Sequence, residues 1–205
     1  MDTRFWGPPG WDLLHRIAFH SKHPHKLLAN ISEVLPCKFC RESTSHFVKI
    51  EPYTPKDPGR WLYNIHNRVN HKLRSQCHND PKVVNPGPDP DYNEVVEKFK
   101  NKTLSGLHGG DFLLSIAVNF TPTPKRTAIQ KRFLKNLAEA YPLFEEYYKQ
   151  HPPVFSDYVG WMHKFTGGSI EKVESYKSLC KHGKTCRRLK GGRRRITRRR
   201  LLLRK

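Results

Sequence analysis

Pro36 stands between two helical patterns and puts a pair of cysteines on the first turn of the second. Residues 25–35 carry Lys26, Leu27, Leu28, Ile31, Val34 and Leu35 in an amphipathic helical pattern. Proline cannot continue that helix, but it suits the first turn of a new one. Pro36-Cys37-Lys38-Phe39-Cys40 therefore opens a third helix that runs to about Ile50. Before it, Trp11, Leu14, His15 and Ala18 share one face of a helix over residues 9–20, with Pro8-Pro9-Gly10 as a lead-in turn. After it come a loop over 51–59, a fourth helix from Arg60 to Arg74, a loop over 81–90 rich in proline, and a fifth helix from Asp91 to Lys102. No stretch alternates as a strand would, so the class is all-α.

Helical patterns recur near 111–120, 125–150 and 155–177. They echo the first half. Asp111-x-Leu113-x-x-x-Ala117 matches Asp12-x-Leu14-x-x-x-Ala18, and Asn136-x-x-Glu139-x-x-Pro142 matches Asn30-x-x-Glu33-x-x-Pro36. Tyr158-x-x-x-x-His163 matches Trp61-x-x-x-x-His66. Leu143 and Glu146 then stand where the cysteines would be. Two readings stay open: a degenerate repeat that lost its chemistry, or an unrelated helical extension. The expected domains are 1–103, 104–177 and a basic, disordered tail over 178–205.

The tail carries most of the charge. The net charge is +20, and residues 181–205 hold thirteen Lys and Arg with no acid, leaving +7 for residues 1–180. Such a polycation suits nucleic acid, acidic proteins or anionic surfaces. A nucleic-acid contact through residues 187–205 would be made to phosphates and be sensitive to salt. No apolar run reaches the roughly 20 residues of a membrane span, and Met-Asp-Thr-Arg-Phe-Trp-Gly does not read as a secretory signal. Five cysteines, an odd number, argue against a disulfide-stapled secreted scaffold and for redox or metal chemistry. Cys180 and Cys186 flank a short basic segment, which leaves open a partial zinc site with His182, a simple tail clip or two unrelated thiols. Cys77 has no apparent partner.

A lone C-x-x-C is half a zinc site or a redox pair. No second pair of metal thiolates follows, whereas Trp61-x-x-x-x-His66-Asn67-x-Val69-Asn70 does. A cysteine at a helix N-terminus meets unpaired N–H groups and the positive end of the helix dipole, which favour the thiolate. Lys38 and Arg41 add positive charge. The expected chemistry is thiol–disulfide exchange at an exposed Cys37, with Cys40 turned inward as its partner. Trp11, His15, Trp61, His66, Asn67 and Asn70 offer rings to sandwich a flat aromatic cofactor and groups to hydrogen-bond it. Arg4, Lys72 and Arg74 would neutralise a pyrophosphate.

At these residues the chain resembles the FAD-linked sulfhydryl oxidases of the Erv/ALR type. The pattern stands here as Trp11-x-x-Leu14-His15-x-x-Ala18, then Pro36-Cys37-x-x-Cys40, then Trp61-x-x-x-x-His66-Asn67-x-Val69-Asn70-x-x-Leu73. The resemblance implies a four- or five-helix bundle cradling FAD. Cys37 would take electrons from the dithiols of protein substrates, and Cys40 would pass them to the flavin; several members carry a second, flexible cysteine pair that shuttles electrons to the first, a role open here to Cys180 and Cys186. Molecular oxygen would then take them, giving hydrogen peroxide. Trp11, His15, His66, Asn67 and Asn70 would line the FAD, with Lys72 and, more weakly, Arg4 in contact. The chain departs from the family in three places. Arg74-Ser75 replaces a Gly-Lys pair, and Thr44 stands where a Phe is common, with Phe47 one turn on. Tyr63 takes the first position of a disulfide that cellular members use to tie the fourth helix to the following segment. Members commonly form homodimers, although here the second domain could fill that surface. The minimal core, extra helical domain and basic tail look most like members from large DNA viruses, implying host cytoplasm or virion and a role in virion assembly. The rival expectation is a nucleic-acid-binding or virion structural protein with a vestigial oxidase core.

Overall fold

The computed structural model describes residues 3–80 and 83–181, the last four as backbone only, and these residues form helices and no strand. The first half holds α1 (Thr3–His20), α2 (His25–Asn30) with a 3-10 turn over Ile31–Glu33, α3 (Lys38–Ile50), α4 (Pro58–Asn79) and α5 (Tyr92–Lys100). The second half holds α6 (Gly110–Val118), α7 (Pro124–Ala140), α8 (Pro142–Gln150), a 3-10 turn over Phe155–Asp157, α9 (Tyr158–Thr166) and α10 (Ile170–Lys181). None of the described helices is long and apolar enough to cross a membrane.

The all-α expectation holds, and several boundaries move for identifiable reasons. Pro8 and Pro9 lie inside α1 and do not form a lead-in turn. Interior prolines forgo backbone bonds. Tertiary packing compensates, because Phe5 and Trp6 are buried: Phe5 stacks on Tyr176 of α10 at 4.4 Å and Trp6 on Phe112 of α6 at 5.8 Å. α4 starts where Asp57 accepts a hydrogen bond from the Arg60 N–H, with Pro58 in the first turn, and continues to Asn79, five residues past the expected end. The helix expected over 125–150 breaks at Tyr141. Pro142 excludes helical backbone from the residue before it, and Tyr141 is extended (φ −131, ψ 101). Gly167, at φ 60, ends α9 and separates it from α10. α10 runs to Lys181, so the backbone is still helical where the tail was expected to begin at 178. The side chains of Cys180 and Cys186, and the basic segment 187–205, lie outside the described residues.

One hydrophobic core runs through both halves. Leu13 and Ile17 of α1, Leu28 of α2, Leu62 of α4, Leu113 of α6, Leu134 of α7 and Phe144 of α8 are all buried in it. α1 and α6 meet through a reciprocal contact. A Cβ on Gly10 would lie 3.0 Å from the Phe112 ring, and a Cβ on Gly109 would lie 2.7 Å from Leu13. Gly109 and Phe112 follow Gly10 and Leu13 by the same interval, so each helix offers a glycine to the other's apolar side chain, as at a two-fold contact. The likeness extends further. The Trp61 indole N–H donates to the Glu51 carbonyl at 3.0 Å, and the Trp161 N–H to the His151 carbonyl at 3.0 Å, one hundred residues later. Asp57 caps α4 through the Arg60 N–H, and Asp157 caps α9 through the Gly160 N–H. By these contacts the counterpart of Trp61 is Trp161, not Tyr158.

Candidate redox site

Pro36 and the turn before it deliver Cys37 to the N-cap of α3, in extended backbone (φ −95, ψ 128), and Cys40 to its first turn. The two are thiols, not joined to each other in a disulfide. The Cys40 thiol hydrogen-bonds the Cys37 sulfur, and that bond, with burial, pushes the Cys40 pKa well above its ordinary value, opposed by the nearby Lys72 ammonium. Lys72 reaches this spot from α4 by donating to Ser43 Oγ at 2.9 Å. The expected order of exposure is reversed: Cys37 is 3% exposed, and Cys40 is half-buried. The cap position turns Cys37 into the core, which also takes in Ile31, Val34 and Leu35 of the preceding turn.

The aromatic and imidazole groups gather between α1, α4 and α5. Trp11 stacks on His66 with ring centroids 3.8 Å apart and planes 11° from parallel. His15 lies one turn along α1 from Trp11. Its Nε2 is 3.2 Å from His66 Nδ1, and its ring stacks on Phe99 of α5 at 4.9 Å. Burial lowers the His15 pKa to about 3, helped by His66 and Lys98. Burial also lowers His66 to about 4, against the pull of Asp89. Both rings are neutral at pH 7, each with one donor and one acceptor nitrogen.

The remaining expected site residues divide. Asn67 is half-buried and its amide has no hydrogen bond among the described residues. Arg4 is exposed on the first turn of α1. Trp61 does not share the His66 face. Five residues at about 100° each put it roughly 140° away around α4, where it is 2% exposed, bonded to Glu51 and edge-on to Tyr53. Thr44 is buried, and Phe47 packs partly buried against the core. Asn70 and Arg74 are drawn to a residue the sequence patterns did not single out, Asp89. Asn70 donates to Asp89 Oδ1 at 3.0 Å, and Arg74 grips both carboxylate oxygens at 2.9 and 2.6 Å while also donating to the Gly87 carbonyl. The signal for Asp89 was its place in the Pro-rich loop just ahead of α5.

These bonds tie the 85–91 loop to α4. Tyr63, at the position of the family's disulfide, donates to the Pro90 carbonyl at 3.0 Å. It also meets Tyr92 edge-on at 5.2 Å, and Arg60 lies over the Tyr92 ring at 3.4 Å. The Arg74 hydrogen bond, followed by that of Asn70, holds the Asp89 carboxyl below its ordinary value. A carboxylate depressed by folding contributes stability above its unfolded pKa, about 3.9, and the contribution is lost as pH falls through the lower folded value. Asp89→Asn should therefore melt no more than a few degrees below the wild type at pH 7, since the pair is partly exposed, and the gap should close near pH 2. A gap that persists in acid would show that the carboxylate is not what holds the loop.

Within the described helices, α3 opens on a dithiol, and α1 and α4 bring two neutral imidazoles and an indole into contact. Residues 9–86 match the model of the Erv1 / Alr family, a family of FAD-binding sulfhydryl oxidases. That span contains Trp11, His15, both cysteines, His66, Asn67, Asn70, Lys72 and Arg74. No curated protein and no solved structure matches the chain. The residues fit a flavin in one telling respect: His15 Nδ1 is buried with no hydrogen-bond partner. A buried polar atom without a partner is costly unless a ligand satisfies it. The fit differs from the expected sandwich, because Trp11 and His66 are in direct contact and leave no room for a ring between them.

Proposed function

We propose that the chain is an FAD-linked thiol oxidase that forms disulfides in protein substrates. The observation that carries this reading is that the family-matched span holds both a C-x-x-C dithiol at a helix start and a neutral Trp11/His15/His66 cluster. The exchange is written from the oxidised pair. A substrate thiolate attacks Cys37 of the Cys37–Cys40 disulfide, expelling Cys40 as thiolate, and a second substrate thiolate displaces Cys37 from the mixed disulfide. The substrate leaves as a disulfide, and two electrons remain on the dithiol. Lys72, beside Cys40, favours the thiolate that this step expels. His15, His66 and Asn67 would hold the cofactor through uncharged hydrogen bonds, with Trp11 packed against it. FAD, when bound, would supply the two-electron acceptor, with oxygen as the final acceptor and hydrogen peroxide as product.

The second half is, in this proposal, a degenerate copy of the first. Leu114 and Thr166 occupy the positions equivalent to His15 and His66 by the intervals of the α1/α6 and Trp61/Trp161 pairs, and both are buried. The expectation is one flavin per chain. The finer reading is a host-cytoplasmic oxidase serving virion assembly, with residues 187–205 as a polycationic contact. Two features support it: the layout of core, extension and tail, and the polar tie between α4 and the 85–91 loop, which reducing conditions leave intact.

The test is direct. Protein reconstituted with FAD should be yellow, with an absorbance band at roughly 450 nm and one flavin per chain. It should consume oxygen and release hydrogen peroxide when given dithiothreitol. A colourless, inert protein after reconstitution would rule out the oxidase.

A further inference from the structure

Two guanidiniums rest on the turn that leads into Cys37, and they come from different halves of the chain. Arg41, on α3, donates through Nη1 to the Leu35 carbonyl at 2.5 Å. Arg126, on α7, donates through Nη1 to the Glu33 carbonyl at 2.9 Å. The two anchors are two residues apart, so chain geometry keeps them within about 7 Å of each other. Both arginines are half-buried. Among the described residues neither pairs with a carboxylate. The Glu33 carboxylate is taken by Arg132 instead. Arg41 feels Arg126 as a like charge and both cysteine sulfurs as charges of opposite sign, and burial with the Arg126 charge lowers its pKa.

Like charges held together in a partly buried setting oppose folding unless an anion joins them. Among the described residues no carboxylate bridges the two; the Glu42 carboxylate acts on Arg41 from a distance, after the cysteine sulfurs, without pairing with it. The neighbouring cysteine is the residue to which a substrate thiolate must come, and at 3% exposure it is reached only if its surroundings yield. An anion that engages both guanidiniums would sit beside Cys37 and compete with the carbonyls for their N–H groups. Arginine forks match carboxylates in two-pronged fashion.

We propose that Arg41 and Arg126 form a docking site for an acidic side chain next to the reactive cysteine of a protein substrate, so that the second half of the chain sets the specificity of the redox site in the first. This rests on the oxidase reading. Arg126 is a specificity-determining residue supplied by α7, outside the family-matched span of 9–86. The pair favours substrates with Asp or Glu beside cysteine and disfavours those with Lys or Arg.

The test uses the full-length, FAD-loaded protein and three reduced dithiol peptides that differ only in the residues flanking cysteine: Asp, Ser or Lys. Oxygen consumption gives kcat/KM for each, and dithiothreitol serves as an uncharged reference. The wild type should prefer the Asp peptide over the Lys peptide by about tenfold at low salt, and the ratio should shrink in 0.5 M salt as roughly 10 Å screening shortens. Arg126→Glu should invert the ratio, and Arg126→Lys should largely keep it. A ratio near one in the wild type overturns the proposal. So does a ratio unchanged by Arg126→Glu, and so does an equal loss on all substrates including dithiothreitol, which would make Arg126 only a support of the 33–36 turn. Binding of the same peptides with cysteine replaced by serine, followed by fluorescence anisotropy, reads docking without turnover. If the protein oxidises nothing, the oxidase reading fails, and the anisotropy still decides whether the acidic peptide is selected.

Discussion

Cys40→Ser should lower kcat for thiol oxidation by at least about 10³-fold while the protein still binds flavin. The oxygen of serine is close in size to sulfur, and Cys40 lies half-buried on the first turn of α3, so the helix should survive the change. What is lost is the internal disulfide. With Cys37 alone there is no disulfide for a substrate thiolate to attack, so no electron pair can collect on a dithiol. The variant should therefore stay yellow on anaerobic addition of dithiothreitol, where the wild type bleaches. Offered substrates that already carry a disulfide, its Cys37 thiolate should attack one sulfur, expel the other as thiolate and stay in a mixed disulfide that no Cys40 resolves, visible on a non-reducing gel. Cys37→Ser should be equally inactive but trap nothing. Cys77→Ser, on the far turns of α4, should leave kcat unchanged. Wild-type turnover by Cys40→Ser would sink the assigned relay.

The parts of this site set by local rules were legible in the sequence. Pro36 ends one helix and starts the next, so the placement of Cys37 and Cys40 followed from the chain alone. Trp11 and His15 sit four apart on one helix, and their shared face followed too. The arrangement against His66 did not follow, since the 3.2 Å approach of two imidazoles is made by the packing of α1 on α4. The place of Trp61 was not visible either, because a motif written along the chain hides angle: five residues carry it around the helix, away from His66. The bonds of Asn70 and Arg74 to Asp89 were not visible, because that loop residue is distant in sequence and carries no periodic signal. Pro8 and Pro9 looked like a turn because nothing local reveals that Phe5 and Trp6 find partners on α10 and α6. The likeness of the two halves was visible as scattered matches, and the paired indole bonds of Trp61 and Trp161 align them at an interval of one hundred residues.

Phe112→Ala should destabilise the whole chain by about 3–5 kcal/mol, although the residue lies in the half that holds none of the redox groups. Phe112 is 1% exposed, stacks on Trp6, and fills the notch left by Gly10, whose position tolerates no larger residue without moving that ring. Removing it opens a cavity where α1 meets α6. α1 also carries Trp11 and His15, so the effect should pass to the cofactor site through the helix itself. Flavin release on heating, followed by absorbance, and loss of helix, followed by circular dichroism, should shift down together and remain coincident. Gly10→Ala in the same background should recover part of the loss, because the methyl group that crowds Phe112 in the wild type would then fill empty space. That makes the two changes non-additive, as contacting residues are. If instead Phe112→Ala leaves flavin release in place while part of the helical signal melts early, the two halves fold independently, and the reciprocal Gly10/Phe112 and Gly109/Leu13 contact does not join them into one cooperative unit.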